Sequence, residues 1–182
     1  LASGMRNYLA RLGWGHGDEE IIPRERAERI FDIADVGRAA SRMDYAKLAH
    51  FNGVYLRQAD AAALLPEVMK RLSKSGLDFG TEKAARVQAL LPALIERAKN
   101  IRELAESAAF AVTDGAPAPD AKAAALLTPE ARARLADLAE FLSALPDWTR
   151  ADLEHWLRDY ADVKGVKLKD VAQPLRVALT GS

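Results

Sequence analysis

DAAALLPEVMKRLSKSG, Asp60 to Gly76, states the architecture of this chain most plainly. Asp60 offers a capping carboxylate, and Leu64, Leu65, Val68, Met69 and Leu72 then recur at the three- and four-residue spacing of one helix face. Lys70, Arg71 and Lys74 fall on the opposite face, and Gly76 closes the run. The same period continues downstream through Val87, Leu90, Leu91, Leu94 and Ile95, with Thr81 as the expected cap. Pro92 is expected to kink that helix or shift its start. Ile101, Leu104, Ala108 and Phe110 follow behind Asn100. Upstream, Asp44 heads Leu48, Phe51, Tyr55 and Leu56, with Gly53 weakening the middle. Pro23 heads Ala27, Ile30 and Phe31. Met5, Tyr8, Leu9 and Leu12 make a first helix that Gly13 is expected to end with a left-handed cap.

TDGAPAPDAK, Thr113 to Lys122, is the clearest break in the pattern and the expected hinge. Beyond it, Thr128-Pro129-Glu130 reads as a cap, a first-turn proline and a first-turn acid. Asp147-Trp148-Thr149 starts a further helix in which Thr149 and Asp152 approximate a capping box. Lys169 to Leu179 forms the last helix, which Pro174 is expected to interrupt. No segment alternates with period two, no heptad runs long enough for a coiled coil, and no longer period repeats. The expected class is all-α, in three parts: residues 1–59, 60–113 and 114–182.

The 182 residues carry 26 basic and 26 acidic side chains and no cysteine, which excludes disulfides and thiolate metal sites and points to a reducing, cytoplasmic setting. No apolar run approaches the roughly 20 residues needed to span a bilayer, so no membrane partner is expected. Charge is close to balanced in each part, so any RNA surface has to be a local patch. His16 with Asp18, Glu19 and Glu20 matches no established ligand spacing and reads as a solvated turn. Gly15-His16-Gly17 is no phosphate loop, since no strand precedes it and no Walker lysine follows. Trp14, Trp148 and Trp156 could stack on bases, but each is better read as core, Trp148 as a hydrophobic staple.

Three stretches carry a family resemblance: NYLARLGWGHGDEEI (Asn7 to Ile21), FDIADVGRAASRMDYAKLAHFNGVYLR (Phe31 to Arg57) and AQPLRVALTG (Ala172 to Gly181). In this order they resemble the part of bacterial glutamyl-tRNA synthetases that follows the KMSKS loop. The resemblance implies a stem-contact remnant over residues 1–59. It implies two helical anticodon-binding subdomains over 60–113 and 114–182, an α-helical cage that is C-terminally truncated. It also implies a glutamate tRNA partner, no DNA, and a monomer. ATP and Mg belong to the parent enzyme, a class I glutamate–tRNA ligase. HIGH and KMSKS are absent from this chain, so no cofactor and no catalytic residue are expected here.

In ERAKNIRELAE, Glu96 to Glu106, an arginine at the family position matching Arg97 reads the third anticodon base, with Lys99 and Arg102 close behind. A guanidinium fork suits a base edge, whereas lysine offers a point charge. Arg176 resembles the arginine that contacts the anticodon loop, and Lys47 and Arg57 flank the segment that packs near the inner tRNA stem. Solvated surface charge is the competing reading of all six. The alternative function is a non-catalytic helical protein-interaction scaffold, with a small helical enzyme as a distant third.

Overall fold

The computed structural model describes residues 1–77, 79–146 and 148–182, so the Asp147 part of the expected Asp147-Trp148-Thr149 helix start lies outside the described residues. Among the described residues every named element is a helix, and one isolated bridge joins His16 to Glu19. The chain divides into two compact units, Leu1–Val112 and Thr113–Ser182.

The first unit contains α1 (Ala2–Gly13), α2 (Arg24–Ile30), α3 (Tyr45–Gln58), α4 (Ala61–Lys74), α5 (Thr81–Ile95) and α6 (Ile101–Ala108). Asp44 and Asp60 cap as their positions suggest, accepting from Lys47 N–H and Ala62 N–H, each at 3.0 Å. Gly76 follows α4 at φ +80°, a conformation cheap only for glycine. The apolar faces of α4, α5 and α6 meet through Val68, Leu91 and Leu104, all fully buried, and Leu56 of α3 joins the same cluster.

Three local expectations fail in this unit. Thr81 is the first helical residue, while Gly80, which has no side chain to accept a backbone N–H, occupies the cap position. Pro92 neither moves the start of α5 nor divides it, and Pro66 sits inside α4 in the same way. Both prolines lie on exposed faces, where water can take the carbonyls they leave without an N–H partner. Gly13 keeps a right-handed backbone, and Trp14 leaves α1 in an extended conformation.

The buried face of α1 is also not the one its apolar residues mark. Gly4, Asn7 and Tyr8 are buried, whereas Met5 and Leu9 are 41% and 52% exposed. The reason is close approach: a Cβ at Gly4 would come within 2.9 Å of the Asn52 Cα on α3. Tyr8 meets Phe51 edge-on at 6.1 Å. Asn7 then holds the loop after α1, donating to Glu20 O at 2.9 Å and accepting from Ile22 N–H at 2.8 Å. The Tyr55 hydroxyl donates to the same Asn7 oxygen at 2.8 Å, so both the nitrogen and the oxygen of this buried amide have partners.

The second unit contains α7 (Ala121–Ala124), α8 (Pro129–Ser143), α9 (Arg150–Val163) and α10 (Leu168–Thr180), with α10 packed on both α8 and α9. Thr128 caps α8 and Thr149 caps α9, accepting from Ala131 N–H and Asp152 N–H. Leu138, Tyr160, Ala161 and Val171 form the buried centre. Trp156 lines a cleft with Phe141, 6.0 Å from its ring. Trp148 is 64% exposed, so it is neither core nor staple: it lies in the extended approach to the Thr149 cap.

Pro174 does not interrupt α10. A proline at this position leaves the Asp170 carbonyl, four residues earlier, without its helical donor. That carbonyl accepts from the Arg134 guanidinium of α8 at 2.7 Å. The cost of the missing N–H is offset by an interhelical bond to a charged donor.

Candidate nucleic-acid interface

The turn between α5 and α6 is short, and both of its ends are fixed. Ala98 is buried and its N–H bonds back to Leu94 O at 3.2 Å. Asn100 caps α6, accepting from Glu103 N–H at 2.9 Å. Glu103 returns the contact, one oxygen accepting from the Asn100 amide at 2.8 Å and the other from Lys99 N–H at 2.9 Å. This is a close variant of a capping box. From α3, the Asn52 amide donates to Lys99 O at 2.7 Å. Two asparagines and a glutamate therefore set the backbone from which Arg97 and Lys99 project.

Both side chains are exposed, and among the described residues neither carries an ion pair or side-chain hydrogen bond. Arg57, on the last turn of α3, comes to the same place. A Cβ built on Gly53 would lie 3.5 Å from the Arg57 guanidinium and 3.7 Å from the Lys99 Cα. The Arg57 guanidinium thus lies near the backbone of Lys99, with Arg97 two residues away along the turn.

The other three positions do not join this cluster. Arg102 pairs with Glu106 at 2.7 Å, which holds the guanidinium pKa above its ordinary value, and lines a separate cleft with Arg71 and Lys74. Lys47 sits at the opposite end of α3 from Arg57, about 15 Å away along the axis. It pairs with Glu20 at 2.8 Å and lies over the Phe51 ring at 5.6 Å. Arg176 belongs to the second unit, exposed on α10, where its Nε donates to Ser182 O at 2.9 Å. Two of the three carboxylates of the 16–20 turn are engaged in ion pairs, Glu19 with Arg26 at 2.7 Å and Glu20 with Lys47.

Two residues that sequence spacing did not single out have the basic character of an interface. Arg11 and Arg42 line one cleft with Lys47, although they lie far apart along the chain. Asn52, which positions the 96–100 turn, was equally unmarked; its signal is a buried amide beside Gly53 on an otherwise apolar helix face.

A family model described as an anticodon binding domain matches residues 63–182. Glutamate–tRNA ligase 1 of Gluconacetobacter diazotrophicus is 50% identical over all of this chain, which covers 39% of that protein. A glutamate–tRNA ligase 2 of Rhodospirillum centenum is 48% identical, with the same 39% covered. The crystal structure of a glutamate tRNA ligase from Elizabethkingia meningosepticum, in complex with its amino acid, superposes on the whole chain with a TM-score of 0.77 at 28% identity. The chain covers 36% of that structure. This chain thus spans about two fifths of the length of the curated relatives it matches. With an all-helical architecture and a family match over most of its length, the chain belongs to the anticodon-binding domain family.

Proposed function

We propose that this chain is the tRNA-reading part of a glutamate–tRNA ligase, binding glutamate tRNA without carrying out aminoacylation itself. The observation that supports it most is the 96–100 turn. A backbone fixed by Asn52, Asn100 and Glu103 presents Arg97 with no partner for its guanidinium among the described residues, and an anticodon base edge is the kind of acceptor such a fork takes. Lys99 beside it supplies positive charge for the neighbouring backbone, and Arg176 on α10 is a second anticodon-loop contact. Lys47 and Arg57 are assigned to the inner stem, and Arg102 to a supporting charge. ATP and Mg chemistry belongs to the rest of the parent enzyme.

The test is charging of glutamate tRNA and glutamine tRNA by a full-length parent carrying Arg97→Gln. Loss of a good bidentate contact costs roughly 1–3 kcal/mol of discrimination, so preference for the glutamate anticodon should fall about 5- to 150-fold. Thermal melts should move little, since exposed substitutions usually stay within about 0.5 kcal/mol. An unchanged charging ratio, or an unfolded domain, sinks the assignment of Arg97. Absence of any tRNA binding by the isolated chain at low salt favours the scaffold reading.

A further inference from the structure

The second unit holds a cleft of about 380 Å³ between α8 and α9 that contains none of the residues assigned to tRNA. Its walls are aromatic: Phe141 of α8 packs 6.0 Å from the Trp156 ring and 5.7 Å from the Tyr160 ring, both on α9. Tyr160 is buried, while Phe141 and Trp156 keep part of their surface in solvent. Asp137, Asp159 and Lys164 stand among these rings.

One side of the cleft already shows how it holds a cation. Lys164 Nζ lies 5.6 Å from the Tyr160 ring centroid and 2.8 Å from the Asp137 carboxylate. The ring quadrupole attracts the ammonium and the carboxylate balances its charge. One turn earlier on α9 the same two parts recur. Trp156 supplies the ring, and Asp159, three residues on, supplies the carboxylate on the same helix face. Among the described residues no Lys or Arg of this chain lies over Trp156 or pairs with Asp159. His155, which does not line the cleft, touches Asp159 Oδ2 through Nε2 at 3.3 Å and stands 5.5 Å from the Trp156 ring. Its side chain is 66% exposed, and contacts of this kind contribute little. Asp159 Oδ1 is left for a donor from outside.

Charge and shape fix the kind of occupant. Asp137 and Lys164 cancel, so Asp159 leaves the lining with one negative charge. That disfavours an RNA phosphate and favours a cation on an apolar stem. Arginine suits the cleft better than lysine, because a planar guanidinium stacks flat on an aromatic ring and its fork can meet both oxygens of a carboxylate. A carboxylate oxygen accepts more than one donor, so the His155 contact does not use up Oδ2. Val163, 82% exposed, forms an apolar lip of the same cleft. A free cation has nothing to place on Val163, whereas an arginine in a polypeptide brings neighbours that can cover it.

We propose that the Phe141–Trp156–Asp159 cleft is a docking site for a partner protein, which inserts an arginine against Trp156 and Asp159 and lays an adjacent apolar residue on Val163. The site shares no residue with the tRNA contacts above, so it stands or falls independently of that functional reading.

The probe is the capped peptide acetyl-Ala-Leu-Arg-Leu-Ala-amide, titrated into the isotopically labelled chain and followed by amide and indole NMR shifts. A control peptide carries citrulline for arginine, which keeps the shape and removes the charge. The proteins are wild type, Asp159→Asn and Asp162→Asn. The last removes the same charge from α9 outside the cleft lining, and thermal melts confirm that each variant is folded. Wild type should show saturable shifts centred on Trp156, Asp159 and Val163. Affinity should fall roughly fivefold with the citrulline peptide and with Asp159→Asn, but not with Asp162→Asn. Equal binding of the two peptides, equal binding by Asp159→Asn, or no saturable shift at these residues overturns the proposal. Shifts at the same residues that depend on protein concentration alone would assign the cleft to a second copy. Shifts there with a glutamate tRNA transcript but not with the peptide would assign it to RNA, and either result overturns the proposal. Saturation-transfer NMR should also show the arginine peptide bound to the full-length parent. Its loss there would mean that the rest of the parent covers the cleft, which equally removes the partner site.

Discussion

The two units are built on different balances of apolar and polar contact. In the first, α4, α5 and α6 bring together Leu, Val and Ile side chains, with Val68, Leu91 and Leu104 wholly out of solvent. In the second, the centre among the described residues is Leu138, Tyr160, Ala161 and Val171, and the tyrosine hydroxyl must find a partner. It donates to the Asp137 carboxylate, with Arg134 O also in range at 3.2 Å. Lys164 closes the group, paired with Asp137 at 2.8 Å and lying over the Tyr160 ring at 5.6 Å. Area holds the first unit, and polar contacts carry more of the second. The first should therefore be sensitive to lost volume and the second to pH.

The sharpest way to break the contrast is Leu91→Ala. Leu91 is 0% exposed between α4, α5 and α6, so truncation should cost about 2–5 kcal/mol through lost transfer energy and a cavity. Urea melts should show the first unit unfolding earlier, with Tyr160 and its neighbours unaffected. A loss below about 1 kcal/mol would mean that the core there is loosely packed.

The second test is alkaline titration. Burial, then the hydrogen bond to Asp137 and its charge, pushes the Tyr160 pKa up to about 12. An unfolded tyrosine ionises near 10. Above that pH the unfolded chain has released a proton that the folded one retains, so stability is full below about pH 10 and is lost as pH rises towards about 12. Urea melts of the second unit at about pH 9 and about pH 11.5 should diverge in wild type and converge in Tyr160→Phe. Equal pH sensitivity in the two proteins would remove Tyr160 from the account.

The smallest effect is expected at the boundary between the units. Residues 114–116 are exposed, and Gly115 sits at φ +76°. Limited proteolysis should cut first within Gly115 to Pro119, and either product should keep its helical signal. First cleavage inside α4 instead would show that the first unit is the weaker body.

The caps at Asp44, Asp60, Thr128 and Thr149 were legible because an N-cap is a local event: one side chain, one N–H, two or three residues apart. Periodicity was legible for α4, where the apolar stripe is also the buried face. It misled for α1, because the tight crossing at Gly4 chooses the face and leaves Met5 and Leu9 in solvent. Trp148 was misread for a related reason, since bulk and apolarity do not say whether a partner surface lies in reach. Of the candidate site, Arg97, Lys99 and Arg57 share a patch, but what brings Arg57 to Lys99 is Asn52 bonding across from α3. Sequence spacing contains no record of that bond. The convergence of Arg11 with Arg42 is hidden for the same reason, as a loop must fold back before the two can meet.

Pro174 and Arg134 carry a consequence for how this domain tolerates change. Any other residue at 174 restores an N–H that competes for the Asp170 carbonyl and leaves the Arg134 fork short of an acceptor. A shorter side chain at 134 leaves that carbonyl bare inside the α8–α10 seam. Neither exchange is conservative alone, yet the two together recreate an ordinary helix beside an ordinary surface. The positions form one coupled trait, and drift at either should be followed by drift at the other. Proline, the residue expected to cut α10 in two, acts here as a rivet joining it to α8, and it lies two residues before Arg176.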